Sequence, residues 1–572
     1  AFPLWSQEKP KEATATQPTF FSETIEVRVI NVDVVVTDKK GQPVTGLTRN
    51  DFDLYENGVK QEITNFIELS GPPLQHAAAA PIAQPAPSAT QQPAAAPAEP
   101  PADTRPRRIV LFLDEAGLRP FSRNKTLPAM KDFVDRNLRG SDQVMIALWK
   151  PGLEIRLPFT NDVAAAHKAI DGLASDGALG MQLEIEKTRM EAAIRDLPKD
   201  YAMHGEKPPI DLGIALCRAY AYLALHEQHE ASEALKGVIS SMRGVDGRKA
   251  IIVITERLND NPGREAFEYL EQHKDQFAGG QSTSFQSEEA SFMDHDLVPS
   301  ITKLANSSGM TIYPIDAAGL AGETEGISAE NLGDEYQQSS RKIFPIKITY
   351  QTMNQIAAAT GGNALTGSNN FKLAFDTVAN DLNSYYSLGF RASGERKDVV
   401  RSLSVKLKNG KGYTVRTRQE FVEKSLTSEM DDAVAANLFF PIVRNDLNVK
   451  MTAGEGKPEV EEHLTVPLDI KIPTSVLTLV PDGTDLTGHF SLYIAFVRKD
   501  GTVSKVSRQE QALRFPADSL PRRKELTVKT MATIDLKTEG VSIGVMDDYS
   551  HITGFAMLKL TPTATPAAAS SK

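Results

Sequence analysis

The chain has a single cysteine, Cys217, so no intramolecular disulfide can form and cysteine usage leaves the redox compartment open. No apolar run approaches the roughly 20 residues that span a bilayer. Basic charge is dispersed: 63 Lys and Arg stand against 74 Asp and Glu, for a net charge of −11. With no basic stripe to track a phosphate backbone, nucleic acid is not an expected partner. There is no Gly-x-x-x-x-Gly-Lys-Ser/Thr loop and no Gly-x-Gly-x-x-Gly after the first buried strand, so no nucleotide cofactor is supported. A Gly-x-Ser-x-Gly elbow is missing too. Cys217 lies inside the apolar pattern 214–223 and reads as a buried structural thiol. No catalytic residue is assigned, and the protein is expected not to be an enzyme.

What is present is ample core material. Hydrophobic residues make up 41% of 572, a length that suggests about three to four domains. The sequence starts Ala1-Phe2-Pro3 without an initiator Met, as after removal of a signal peptide, and this favours export.

Composition divides the chain. Residues 1–20 read as a polar tail and 21–70 as the first part of a small β module. In that module 25–29 and 32–36 alternate with period two, and Asn57-Gly58 marks a type I′ hairpin. From 71 to 106 the chain is rich in Ala, Pro and Gln, which gives an extended tether; binding by a proline-recognising partner is the other reading.

Residues 107–384 alternate apolar strands, at 109–113, 144–149, 155–157, 250–254 and 311–315, with helices. Continuous apolar runs indicate strands buried on both faces of a mostly parallel, doubly wound α/β sheet. Helices are expected around 125–138, 163–173, 210–242, 298–306, 352–359 and 371–382. Asp162 is a candidate helix N-cap and Gly309 a candidate helix stop. Segment 176–209 reads as an inserted amphipathic helix with two loops; 258–293 and 317–341 read as long loops. Strands return at 385–424, where Asn409-Gly410 suggests another hairpin, and these strands are a candidate completion of the first β module. The section 425–563 reads as a β-sandwich, and 564–572 as a tail.

The blocks Val34-Val-Val-Thr-Asp38 and Gly41 to Gly58, with Tyr385-Tyr-Ser-Leu-Gly-Phe390, resemble the acidobacterial VWFA-related family over about 21–422. The resemblance implies an exported protein with a von Willebrand factor type A fold and a binding role. Such domains hold a divalent cation through Asp-x-Ser-x-Ser, a Thr and an Asp in a Thr-Asp-Gly-like strand end. Hard cations such as Mg²⁺ and Ca²⁺ suit these oxygen donors. Here Asp114 keeps the first position, but Ala116 and Leu118 replace the serines. The third element corresponds to Thr255-Glu256-Arg257, with the acid lengthened and a guanidinium in place of glycine. The metal site is therefore read as degenerate, with neither metal nor cofactor expected and Mg²⁺ or Ca²⁺ held there as the other reading. The candidate ligand-binding residues are Asp114, Glu115, Thr255, Glu256 and Arg257.

Other clusters read more simply. His226-Glu-Gln-His229 has spacing three where zinc-protease helices need four, so it reads as a solvated helix face. Asp294-His295-Asp296 reads as a helix-entry cap. Trp149-Lys-Pro-Gly152 and Tyr385-Tyr386 read as core packing, with carbohydrate or partner contact as the other option. The expectation is an exported (periplasmic, cell-envelope or extracellular) non-enzymatic adhesion-type protein whose partner is another protein. Loops 114–124, 176–209 and 256–297 would bind it at the carboxyl ends of the strands, with homo- or hetero-oligomers allowed. The alternatives are a structural subunit of a cell-envelope assembly and, more remotely, a hydrolase.

Overall fold

The computed structural model describes residues 29–70 and 106–560, apart from 139, 177–179, 320–349, 393–396, 411, 441–444, 459–462 and 517–523. Both tails, the Ala/Pro-rich segment and most of the 317–341 segment lie outside the described residues.

A mostly parallel five-stranded sheet organises the middle of the chain. Its order is Gly152–Thr160, Gln143–Lys150, Arg107–Asp114, Arg248–Thr255, Met310–Asp316, with only the first strand antiparallel. Arg107–Asp114 and Arg248–Thr255 are buried at every position. The pleat divides their side chains between two cores. Ile109, Leu111 and Leu113 face helices Pro120–Asn137, Val163–Ser175 and Phe371–Asn383. Val110 and Phe112 face helix Ile210–Ser241, helix Leu297–Ser308 and a helix over 350–360. The chain is thus mixed α/β with helices on both faces of this sheet. The local signals act as read: Asp162 accepts from the amides of Ala164 and Ala165, and Gly309 closes its helix at φ 64°.

Two differences concern segments read as loops or turns. Within 258–293 a helix forms at Arg264–His273, burying Ala266, Phe267 and Leu270. It packs with helices Gln182–Ala202 and Ile210–Ser241 into a separate apolar cluster above the sheet. The polar outer face of this helix hid its period. Asn409-Gly410 does not form a two-residue hairpin. Val400–Leu407 pairs with Phe52–Glu56 and Glu420–Val422, whereas Thr414–Arg416 pairs with Val29–Thr37, so the chain crosses between sheets there.

Strands from before and after the α/β segment share two sheets. Val29–Thr37 and Ile63–Ser70 flank Ser384–Arg391, and Phe52–Glu56 lies between Val400–Leu407 and Val59–Gln61. Val32, Val34, Leu54, Leu388, Phe390 and Leu403 form their common core. Asn57 and Gly58 turn the hairpin at φ 47° and 79°, the left-handed pair that a type I′ turn requires.

The C-terminal section opens on a helix, Leu426–Asn437, capped by Ser425. Two antiparallel sheets follow. One is centred on His463–Pro473 and the other on Asp485–Arg498, and a single apolar cluster joins them.

Candidate functional site

The strand order places the first α/β strand between the second and the fourth, so the winding reverses between Arg107–Asp114 and Arg248–Thr255. In open α/β sheets the carboxyl ends of the strands at such a point are where ligands commonly bind. Asp114 and Thr255 end the two strands at this point.

Asp114 is 6% exposed, and both carboxylate oxygens are engaged. Oδ1 accepts from the Gly117 amide at 2.9 Å and Oδ2 from the Thr255 hydroxyl at 2.8 Å. Burial raises its pKa, opposed by the Thr255 bond, the charge of Arg257 and the Gly117 amide. Gly117 has no room for a side chain: a Cβ there would lie 2.1 Å from Asp114 Oδ2.

Around this centre the charges pair off. Glu115, 1% exposed, accepts from Arg123 Nη1 at 2.9 Å, and burial raises its pKa. Glu256 takes Arg119 Nε at 2.8 Å and the Arg119 amide at 3.2 Å. The Arg257 amide donates to Thr255 Oγ1 at 3.1 Å, while its guanidinium joins Glu227 Oε2 and the Gly180 carbonyl, both at 2.8 Å. Lys150 and Arg156 both reach Asp176. The next strand adds Asp316, 4% exposed, whose carboxyl is pushed up to about 6, chiefly by burial.

The five sequence-derived residues therefore gather at one edge, but in distinct pairs. Asp114 binds Thr255, Arg257 turns toward Glu227, and Glu115 and Glu256 hold separate arginines. The three expected loops meet there: Arg123 donates to the Asp176 carbonyl, and Gly180 packs on Leu118. Sequence reading missed Glu227, Arg119, Arg123 and Asp316. Arg257 in the place of a small residue was the available signal for Glu227, because a half-buried guanidinium needs a carboxylate.

The donor set does not fit a hard cation. Ala116 and Leu118 supply no oxygen, the Asp114 oxygens already accept protein hydrogen bonds, and the charge of Arg257 acts on that carboxylate. Among the described residues, no group of three or more His, Cys, Asp or Glu is arranged to hold a metal ion.

The remaining clusters are structural. His226 and His229 face solvent, and the Glu227 between them is the residue bound to Arg257. Asp296 precedes its helix without a side-chain cap; Asp294 instead accepts from the Asp296 amide. Tyr385 and Tyr386 are buried: Arg248 stacks on the first, and the second donates to the Val44 carbonyl. A cavity of about 740 Å³ opens at the opposite, amino end of the sheet, remote from Asp114. Lys249 lines it, but its ammonium is committed to the carbonyls of Met242, Arg243 and Val245 beyond the end of the long helix.

No family model matches the chain, and no curated protein matches it in sequence. Among solved structures it is similar to the conserved hypothetical protein BatB from Bacteroides thetaiotaomicron. That match has 13% identity over 48% of this chain and 97% of that one, with a TM-score of 0.23. It is also similar to the vWF domain of the type V pili tip protein Mfa5 from Porphyromonas gingivalis, at 13% identity over 52% of this chain and 100% of that one, with a TM-score of 0.22. Three N-terminal domains of Mfa5 match 80% of this chain and 90% of their own length, at 10% identity and a TM-score of 0.24. No helix among the described residues is long and apolar enough to cross a membrane.

Proposed function

We propose that the chain is an exported, non-enzymatic protein-binding protein of the adhesion type. Its α/β sheet is read as a von Willebrand type A-like domain with a degenerate metal site, and its two C-terminal sheets as a β-sandwich. The carrying observation is the closure of Asp114 on Gly117 and Thr255 at the switch point of the sheet. A carboxylate so engaged favours ligand contact through side chains over contact through a bridging cation. Exposed apolar residues near this edge supply such contacts: Phe121 is 63% exposed, Met181 40% and Ile185 46%. Phe121 follows Leu118 in the chain, and Met181 follows the Gly180 that packs on Leu118. The resemblance to the VWFA-related family supports export and a binding role.

Two measurements test this reading. Calorimetry with Mg²⁺, Ca²⁺ and Mn²⁺ is expected to show no tight binding, and tight binding abolished by Asp114→Ala would overturn the cation-free site. Pulldown from native extract is expected to retain the same partner with and without chelator and to lose it in Phe121→Asp. Exclusive self-association, with no separate chain retained, would instead favour a structural subunit of an envelope assembly.

A further inference from the structure

A long, regular sheet edge is a template for pairing with another strand, and proteins blunt it with short length, bulges, charged side chains, proline or a covering segment. Several edges here are protected in these ways. Val59–Gln61, Thr414–Arg416, Glu420–Val422 and Val480–Asp482 are three residues each. Gly152–Thr160 pairs through two register shifts. Ser507–Pro516 ends in proline and commits Arg514 to Asp485.

Glu525–Asp535 is longer and unbulged, and Lys529 is the one basic side chain in its outward row. Its eleven residues contain no Gly or Pro and pair with His463–Pro473 along their full length without a shift. Among the described residues, no strand pairs with its other edge. Its inward side chains are apolar or threonine, with Ala532 and Ile534 buried. The outward row is Glu525, Thr527, Lys529, Met531 and Thr533, and Met531 is 59% exposed.

We propose that this edge pairs antiparallel with the same strand of a second copy of the chain, about a two-fold axis at Ala532. Seven residues of each copy, Lys529–Asp535, then lie opposite one another. Lys529 faces Asp535 of the second copy, and the symmetry repeats this pair. Met531 covers Thr533 of the second copy, Thr530 meets Ile534, and Ala532 meets itself. Because strand side chains repeat every second residue, outward positions meet outward ones and the apolar underside continues across the joint. A register centred on Thr530 would oppose Glu525 with Asp535 twice, and like charges directly opposite are destabilising. Centring on Thr527 pairs Lys529 with Glu525 but overlaps only the five residues 525–529 of this strand.

Sedimentation velocity on the full chain tests the proposal. The wild-type chain is expected to be dimeric at micromolar concentration. Met531→Lys, at a side chain free of the fold's core, is expected to be monomeric and folded, with a thermal midpoint that no longer depends on protein concentration. Lys529→Asp should weaken the dimer by about tenfold, and adding Asp535→Lys should restore it, because the swapped charges again oppose each other. Asp535 also meets Arg498 at 3.2 Å, so a mixture of Met531→Cys and Thr533→Cys chains provides a second test. Oxidation should cross-link that mixture as a heterodimer. A monomeric wild type, a dimer indifferent to Met531→Lys, no recovery in the folded charge-swapped variant, or no heterodimer cross-link would each overturn the proposal.

Discussion

Thr255 donates its hydroxyl to Asp114 Oδ2 at 2.8 Å, tying together the ends of the two strands between which the sheet reverses its winding. Each partner is less than one-tenth exposed, so water does not replace the bond when it is broken.

Thr255→Val keeps the shape and removes the donor. It also removes the acceptor of the Arg257 amide. Leaving a buried carboxylate oxygen unsatisfied should cost about 1–3 kcal/mol, read as a lower urea midpoint with an unchanged slope. Thr255→Ser should recover most of the loss. Equal stability of the Val variant and the wild type would refute the assigned role.

The pair Arg257–Glu227 joins the strand edge to the long helix, with side chains 24% and 29% exposed. Alanine at either position should destabilise the chain, and the double variant should lose less than the sum. A coupling of about 1 kcal/mol is expected for a partly screened pair with one good hydrogen bond. Strict additivity would show that the two act separately.

Asp316 should leave a signature in the pH dependence. Its pKa rises from 3.8 to about 6, mainly through burial. A carboxyl with a raised folded-state value binds more protons folded than unfolded across that window. Stability is therefore favoured below pH 4 and falls as pH rises toward 6, by at most about 3 kcal/mol from this group. Asp316→Asn should flatten that part of the stability profile, measured by denaturation at fixed pH steps. An unaltered slope would contradict the assignment.

Cys217 is fully buried, donates to the Ala266 carbonyl at 3.2 Å, and has its thiol pushed up to about 12 by burial. The thiolate is the reacting species. A thiol-reactive disulfide reagent should label the native chain very slowly and the unfolded chain fully. Rapid native labelling would place this thiol at the surface.

Local signals carried the reading of individual elements. The runs 109–113 and 250–254 are apolar without a break, as in strands covered by helices on both faces. An acid ending the first of them marked the carboxyl edge of the sheet. The pairing beyond it was not legible. Glu227 lay in a motif that reads as a wet helix face, and only packing brings that face over the strand end where Arg257 waits. The helix Leu426–Asn437 was hidden because short apolar stretches there fit a strand or a helix equally well.

By itself the sequence marked which strands are buried on both faces, where the turns at Asn57-Gly58 and Gly309 fall, and which acid ends the central strand. It did so because hydrophobic period and left-handed backbone preference are properties of neighbouring residues. Only the tertiary structure decided partners: which strands share a sheet, and that the Thr255 hydroxyl donates to Asp114. Those outcomes depend on groups far apart in the chain, and their selection rests on the cost of leaving any buried polar atom unpaired.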